Sequence, residues 1–228
     1  MFFQNFLKFP MNLPAVGFPR RAEQARWPHT TTYRSLLGDK AWERLDPAIR
    51  DRFGARSRNR GFYGAMRWVE LSVGGRFLAM LSRLFGSSLF PHTGADIVTL
   101  IDVEGTADDA SGTWNRAYLM PRGRRFTVRS VKRFDARDGL LECLGRGFVM
   151  KLDLRAQPDA LHFVSTGYQW RCGALHIPLP DILSPGETHV VHRELGGGRF
   201  RFSLSIDHTL FGRLVFQEGD FFEKENTP

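Results

Sequence analysis

Apolar and polar residues alternate over two stretches of this chain, with Val149 as the exception, and this alternation limits the possible fold more than any other feature. In residues 199–206 the apolar positions are Phe200, Phe202, Leu204 and Ile206, and in residues 148–154 they are Phe148, Met150, Leu152 and Leu154. Successive side chains of a strand point to opposite faces, so each stretch predicts a strand with one dry and one wet face. Sheets built from such strands are typically antiparallel.

Further segments carry strand signals of the same kind. They cover residues 97–104, 113–119, 125–134, 189–195 and 213–222, and turn signals at Asp138-Gly139 and at Gly196-Gly197-Gly198 lie between strands. Short turns between antiparallel strands predict a meander.

Two helical regions accompany the strands. Between residues 33 and 53, Trp42, Leu45, Ile49 and Phe53 recur at helical spacing, and Asp46-Pro47 predicts a boundary between two short helices. A broad apolar face predicts another helix over residues 76–85, after Gly74-Gly75 and before Gly86.

The strands and helices together predict the fold class. Unpaired sheet edges promote aggregation unless the sheet closes or is covered. We therefore expect a mainly β protein: an antiparallel, closed or half-closed barrel-like meander of about nine to ten strands. The helix at 76–85 would pack on the barrel or plug one end.

Composition and charge indicate which kinds of molecule the protein is able to bind. Of the 228 residues, 42% are hydrophobic and 25% are charged, which is typical of a folded globular protein. The formal net charge is +8, and +7 of it lies in residues 1–60, which contain twelve basic and five acidic side chains. A basic chain attracts polyanions. However, the chain has no recognition helix, zinc finger or aromatic RNA-binding motif, so we do not expect it to bind nucleic acid.

The chain divides into a domain with two tails. We expect a flexible tail over residues 1–32, one β-rich domain over residues 33–222 and a short tail over residues 223–228. In a short helix, Phe2, Phe3, Phe6 and Leu7 would share one side, which predicts a weak contact with a membrane surface or a partner. A frayed or packed terminus is the alternative. The chain shows no pattern of a secretory signal or a membrane span, so we expect a cytoplasmic location.

Three segments resemble a known family. They are the opening Tyr33-Arg34-Ser35-Leu36-Leu37-Gly38, the segment Thr113-Trp114-Asn115-Arg116, and the ending that runs from Ile206 through Asp207-His208-Thr209-Leu210-Phe211-Gly212 to Gly219. Over roughly residues 33–222 the chain resembles the bacterial family catalogued as domain of unknown function 4166, although Thr209 stands where that family usually has Pro. The resemblance implies a bacterial cytoplasmic protein associated with an oxidoreductase similar to saccharopine dehydrogenase, and it implies no catalytic residue.

Aromatic and arginine side chains are the candidates for ligand binding. Buried Tyr and Trp often line pockets and contribute one polar group each. The candidates of this kind are Trp68, Trp114, Tyr118, Tyr168 and Trp170. Arg116, Arg125 and Arg129 are candidates for holding the carboxylate or phosphate of an amphipathic ligand. The alternatives are a simple core for the aromatic residues and a solvated sheet face for the arginines.

Catalytic and metal-binding signals are weak. The chain contains no Gly-x-Ser-x-Gly elbow, no Cys-x-x-Cys and no dinucleotide-binding Gly-x-Gly-x-x-Gly turn, so we predict no cofactor. His189 and His192 would point to opposite faces of a strand, so we predict no metal site there. His208, Asp207 and His192 are the candidates for proton transfer.

Three functions follow from these observations. The first is a binding module for an apolar or amphipathic, lipid-like molecule in a hydrophobic cavity, in the service of an oxidoreductase. The second is an enzyme that performs acid/base chemistry, such as isomerisation or cyclisation, in the same cavity. The third is a membrane or polyanion adaptor that acts through the basic N-terminal region.

Overall fold

A computed structural model describes residues 32–54, 59–84, 86, 89–105 and 111–224. The helices are α1 (Tyr33–Leu37), α2 (Asp39–Glu43), α3 (Pro47–Phe53) and α4 (Val73–Leu84). The strands are β1 (Arg60–Leu71), β2 (Gly94–Gly105), β3 (Gly112–Leu119), β4 (Arg125–Asp135), β5 (Gly139–Gly145), β6 (Phe148–Gln157), β7 (Ala160–Cys172), β8 (Leu175–Pro178), β9 (Glu187–Gly196), β10 (Arg199–His208) and β11 (Gly212–Glu223).

Ten of these strands form a closed antiparallel barrel. The sheet runs β6-β5-β4-β3-β2-β1-β11-β10-β9-β7, and pairing between β6 and β7 closes the ring. Strand β7 is forked, because residues 160–164 pair with β9 whereas residues 169–172 pair with the additional strand β8. The mainly β fold class and the antiparallel barrel are confirmed, and the barrel is closed.

The alternation in the sequence decides which side chains fill the barrel. On β10, Phe200, Phe202, Leu204 and Ile206 are all buried, whereas the intervening Arg and Ser residues are partly exposed or exposed. In strand β1 the buried side chains change from even-numbered to odd-numbered positions. The change follows an irregularity in the strand pairing between Met66 and Trp68.

The barrel has two ends, which we name by the helices that cover them. The α3 end carries the turns around residues 136–138, 158–159 and 197–198, and the α4 end carries those around residues 120–124, 146–147 and 209–211.

Helix α3 closes its end of the barrel with an aromatic ring. As predicted, the helix begins at Pro47, and the Asp46 side chain caps it by accepting a hydrogen bond from the backbone N–H of Ala48 at 2.8 Å. Its last residue, Phe53, packs its ring against Trp114 and Phe163 at centroid distances of 6.0 and 5.7 Å. The N-terminal helices are therefore part of the barrel core.

Helix α4 begins three residues earlier than the sequence predicted. Gly74 and Gly75 lie within the helix rather than before it, and the hydroxyl of Ser72 accepts a hydrogen bond from the N–H of Gly75 at 3.1 Å. A Cβ atom on Gly75 would lie 1.9 Å from the carbonyl oxygen of Leu214. Close packing of the helix on β11, rather than a helix start, explains this glycine.

The membrane-contact prediction for Phe2, Phe3, Phe6 and Leu7 lies outside the described residues, as does nearly all of the predicted N-terminal tail. In the part of the chain that the structure describes, no helix has the length and apolar character needed to cross a bilayer.

Candidate functional site

The barrel interior contains a buried arginine that has no ion-pair partner among the described residues. Strand β3 turns Trp114, Arg116 and Tyr118 into the barrel, and each side chain is at least nine-tenths buried. The Arg116 guanidinium lies over the ring of Phe202, with its carbon 4.9 Å from the ring centroid. Among the described residues no carboxylate forms an ion pair with Arg116, and its buried Nε has no hydrogen-bond partner.

Two other interior cations differ from Arg116 because each has a carboxylate. Lys132 Nζ lies 3.2 Å from Glu142 Oε2, and Arg52 Nη2 donates to Glu194 Oε2 at 2.9 Å. Burial lowers the pKa of Arg52, and the contact with Glu194 opposes that shift. The interior of the described residues thus holds three cationic side chains and two carboxylates, and Arg116 is the unmatched charge.

His192 lies at the centre of a cage of aromatic rings. The rings of Phe53, Trp114, Phe163, Phe200 and Phe202 lie between 5.0 and 6.0 Å from its centroid. Burial lowers the pKa of His192 well below its usual value, and the nearby cations Arg52, Lys132 and Arg116 lower it further. Its imidazole is therefore neutral near pH 7. The Nδ1 atom is buried without a hydrogen-bond partner.

Two buried tyrosines are hydrogen-bond donors rather than bases. The hydroxyl of Tyr118 donates to Gln217 Oε1 at 3.1 Å, and that of Tyr168 donates to the carbonyl of Gly186 at 3.0 Å. Burial raises the pKa of each tyrosine to about 12, so both remain protonated at physiological pH.

An aromatic layer separates Arg116 from the surface at the α4 end. Phe90, from the connection between α4 and β2, stacks on Tyr118 at 4.1 Å and contacts Phe126 at 5.6 Å. Beyond Phe126 lies an open pocket of about 280 Å³, which we call the mouth pocket. It is lined by Arg83, Gly86, Arg125, Phe126 and Thr127.

A second pocket of about 390 Å³ lies where α4 begins. It is lined by Glu70, Leu71, Ser72, Arg76, Thr93, Arg213 and Leu214. Neither pocket is lined by Arg116, Lys132 or His192, so both lie apart from the interior charges.

The family model described as Domain of unknown function (DUF4166) matches residues 45–221, which is most of the chain. The chain belongs to this family. The match begins just before α3 and ends within β11, so it includes Phe53 and all of the barrel except the last two residues of β11. It confirms the family that the resemblance indicated, and it includes the segments at residues 113–116 and 206–219 but not the opening at residues 33–38. No curated protein matches the chain.

The structure of this DUF4166 member brings some of the predicted ligand-binding residues together and separates others. Trp114, Tyr118 and Arg116 share the interior, and Arg125 lines the mouth pocket. Trp68 and Arg129 are exposed. Tyr168 is buried next to Gly186, and Trp170 is half-buried, with its Nε1–H donating to the carbonyl of Arg146 at 3.0 Å.

The three candidates for proton transfer have different surroundings. His192 lies inside the barrel. Asp207 is part-exposed and accepts a hydrogen bond from Arg213 Nε at 3.0 Å. His208 is buried at the end of β10, where its Nδ1 accepts a hydrogen bond from the N–H of Leu210 at 3.1 Å. The opposite orientations of Asp207 and His208 agree with their neighbouring positions on one strand.

Sequence reasoning did not identify Lys132, Glu142, Arg52 or Glu194. A signal was present for Lys132, because it has the same parity on β4 as Phe126 and Val128 and therefore falls on the apolar face. No comparable local signal marks Arg52, whose partner Glu194 is 142 residues away.

Histidines on β7 and β9 form a pair outside the aromatic cage. His162 Nδ1 lies 2.9 Å from His189 Nε2, whereas His192 occupies the opposite face of β9. Among the described residues, no group of three or more His, Cys, Asp and Glu side chains is placed to hold a metal ion.

Proposed function

We propose that this protein binds a small amphipathic molecule whose carboxylate or phosphate pairs with Arg116 inside the barrel. The observation that carries the proposal is a guanidinium that is only 6% exposed and has no carboxylate partner among the described residues. An unpaired buried charge costs several kcal/mol, so a position of this kind is expensive for the protein unless an anion compensates it.

The chemistry of the surrounding groups favours an anion. A guanidinium offers parallel N–H donors that match the two oxygens of a carboxylate or phosphate. The positive charges of Lys132 and Arg52 add to the attraction, although each has its own carboxylate.

The apolar part of the ligand would lie toward the α4 end. Phe90, Tyr118 and Phe126 form the aromatic layer between Arg116 and the mouth pocket. Phe90 comes from a connection without regular secondary structure, so its ring is the one that moves most readily to admit a ligand.

The test compares three probes that have the same chain length and differ only in the polar group: dodecanoate, dodecyl phosphate and 1-dodecanol. We expect the two anions to raise the melting temperature of the wild-type protein and the alcohol to have no comparable effect. Arg116→Met should weaken dodecanoate binding at least about tenfold by calorimetry, because the charged hydrogen bonds are lost. Native mass spectrometry of the purified protein would detect a ligand that co-purifies.

The matched control is Arg129→Met, which removes an exposed arginine from the neighbouring strand β4. This control should bind dodecanoate like the wild type. The free Arg116→Met protein should be more stable than the wild type by about 1 to 4 kcal/mol, since an uncompensated buried charge is replaced by an apolar chain. Two results would refute the proposal. One is that Arg116→Met binds dodecanoate as tightly as the wild type does, and the other is that the wild type binds 1-dodecanol as tightly as the two anions.

A second candidate function is acid/base catalysis, and the surroundings of His192 favour it. A neutral imidazole with an unpartnered Nδ1 can accept a proton, and a nearby cation such as Arg116 stabilises a developing anion. The test incubates wild-type and His192→Phe proteins with a cell metabolite extract. Mass spectrometry then compares the two extracts. If no compound changes in amount with the wild type but not with His192→Phe, this function is excluded.

Two expectations from the sequence stay predictions. They are the association with an oxidoreductase, which the family resemblance implies, and the adaptor role of the basic N-terminal region.

A further inference from the structure

Helix α4 carries an exposed apolar stripe. Val73, Phe77, Met80 and Leu84 are between 61% and 86% exposed. At about 100° per residue, these four positions fall within about 60° of the helix circumference. The buried residues Gly75 and Ala79 lie on the opposite side, where the helix packs on β11 and β1. The stripe therefore points directly away from the barrel.

The charges on α4 itself are positive, although Glu70 at the end of β1 lies near Arg76, with which it lines the second pocket. Arg76 and Arg83 lie together along one flank of α4, which contains no acidic residue. The turn between β3 and β4, at the same end of the barrel, adds Arg122, Arg124 and Arg125. Among the described residues none of these five arginines has an ion-pair partner, although arginines elsewhere in the barrel commonly do.

A second apolar element is exposed at the same end. Leu210 and Phe211 form the tip of the turn between β10 and β11 and are 64% and 70% exposed. This turn lies three residues before Leu214, on which Gly75 packs. The α4 end thus combines protruding apolar side chains with a set of uncompensated arginines.

We propose that the α4 end docks on the surface of an anionic lipid bilayer, with α4 lying in the interface. An interfacial helix has this arrangement: an apolar face that enters the acyl boundary and basic side chains that reach the phosphates. The charge decides between a bilayer and a second copy of the chain. An antiparallel twofold contact through the stripe would bring Arg76 and Arg83 close to Arg83 and Arg76 of the second copy, whereas anionic headgroups neutralise them.

The proposal does not depend on ligand binding at Arg116. Its residues are exposed, and the stripe side chains do not line the mouth pocket. Arg83 and Arg125 do line it, so the variants tested below leave both of these arginines in place. It also differs from the membrane contact predicted for residues 1–60, because it involves only α4 and the turns at its end of the barrel.

The experiment is co-sedimentation of the full chain with vesicles of phosphatidylcholine and with vesicles of equal parts phosphatidylcholine and phosphatidylglycerol. We expect binding to the mixed vesicles that weakens as salt is added. Phe77→Ser/Met80→Ser should weaken it at least about tenfold, because two side chains no longer enter the bilayer. Arg76→Gln/Arg124→Gln should weaken binding to the mixed vesicles by a similar factor.

The matched controls remove side chains of the same types elsewhere. Tyr63→Ser/Phe222→Ser changes two exposed aromatic residues of β1 and β11 at the α3 end, and Arg199→Gln changes an exposed arginine at the same end. Both controls should bind mixed vesicles like the wild type, and circular dichroism should show every variant folded.

Three outcomes would overturn the proposal. They are no binding of the wild type to mixed vesicles, equal loss in the controls and the α4 variants, or a lipid-free dimer that Phe77→Ser/Met80→Ser dissociates. The last outcome, measured by analytical ultracentrifugation, would assign the stripe to self-association.

Discussion

At the scale of single residues, His192 and Arg116 show opposite responses to burial. The imidazole of His192 becomes neutral because burial lowers its pKa. The guanidinium of Arg116 is buried as a cation, and among the described residues no carboxylate pairs with it. A neutral ring is tolerated in an aromatic cage, whereas a lone cation requires an anion.

The pH dependence of stability provides a test of the state of His192. Since the folded pKa is below the unfolded value, the unfolded chain binds more protons once the pH falls below about 6.5, and stability decreases as the solution becomes more acidic. We expect His192→Phe to remove a decrease of about 1.4 kcal/mol per pH unit below that point. The measurement is urea unfolding of both proteins between pH 7 and pH 5.

A difference between the two proteins that stays constant over this pH range would contradict a neutral, buried His192. His162, whose pKa burial also lowers, is present in both proteins and so contributes equally to each.

At the scale of elements, the sequence predicted those strands in which alternation is unbroken. Strand β10 is an example, and its predicted apolar face is buried. On β6 the predicted face is buried only at Met150 and Leu152, and Val149 of the opposite face is buried as well. Strand β1 is different, because its irregularity after Met66 shifts burial to Val69 and Leu71. A bulge changes the parity of a strand, so a search for strict alternation does not find the whole element.

The position of α4 depends on a backbone contact that two neighbouring glycines can test. Gly75→Ala places a Cβ against the Leu214 carbonyl and should destabilise the protein by about 2 to 3 kcal/mol. Gly74→Ala meets only the end of the Leu214 side chain, at 3.0 Å, and gains about 1 kcal/mol of helix propensity. We expect this control to lie within about 1 kcal/mol of the wild type in urea unfolding.

Equal effects of the two substitutions would show that close approach of the backbones does not hold α4 on β11.

At the scale of the whole molecule, the barrel and the N-terminal helices form one core. Phe53 reaches the aromatic cage from α3, and Arg52 pairs with Glu194 of β9 while its guanidinium carbon lies 3.9 Å from the centroid of the Phe200 ring. The helices therefore contribute both apolar and charged groups to the interior.

A double substitution tests this link. Arg52→Met leaves the buried Glu194 without its ion-pair partner and should cost about 3 to 5 kcal/mol of stability. Adding Glu194→Met should recover most of that loss, because an apolar pair replaces the ion pair. Thermal and urea unfolding of the two single variants and the double variant would measure the coupling. Additive losses would show that the two side chains do not depend on each other.

Some features of the candidate site follow from the local sequence, and others depend on contacts between distant segments. The sequence alone determined that Trp114, Arg116 and Tyr118 share one face of a strand, since alternation is a property of the local backbone. It also determined the antiparallel, mainly β class.

Only the tertiary structure decided which interior charges are compensated. Lys132 finds Glu142 on the next strand, Arg52 finds Glu194 across the chain, and Arg116 finds no carboxylate among the described residues. Charge pairing in a buried interior depends on which distant segments barrel closure brings within a few ångströms, and closure between β6 and β7 is not a local property. The outward direction of the α4 stripe also depends on tertiary structure, because the contact of the helix with β11 and β1 decides which of its sides is buried.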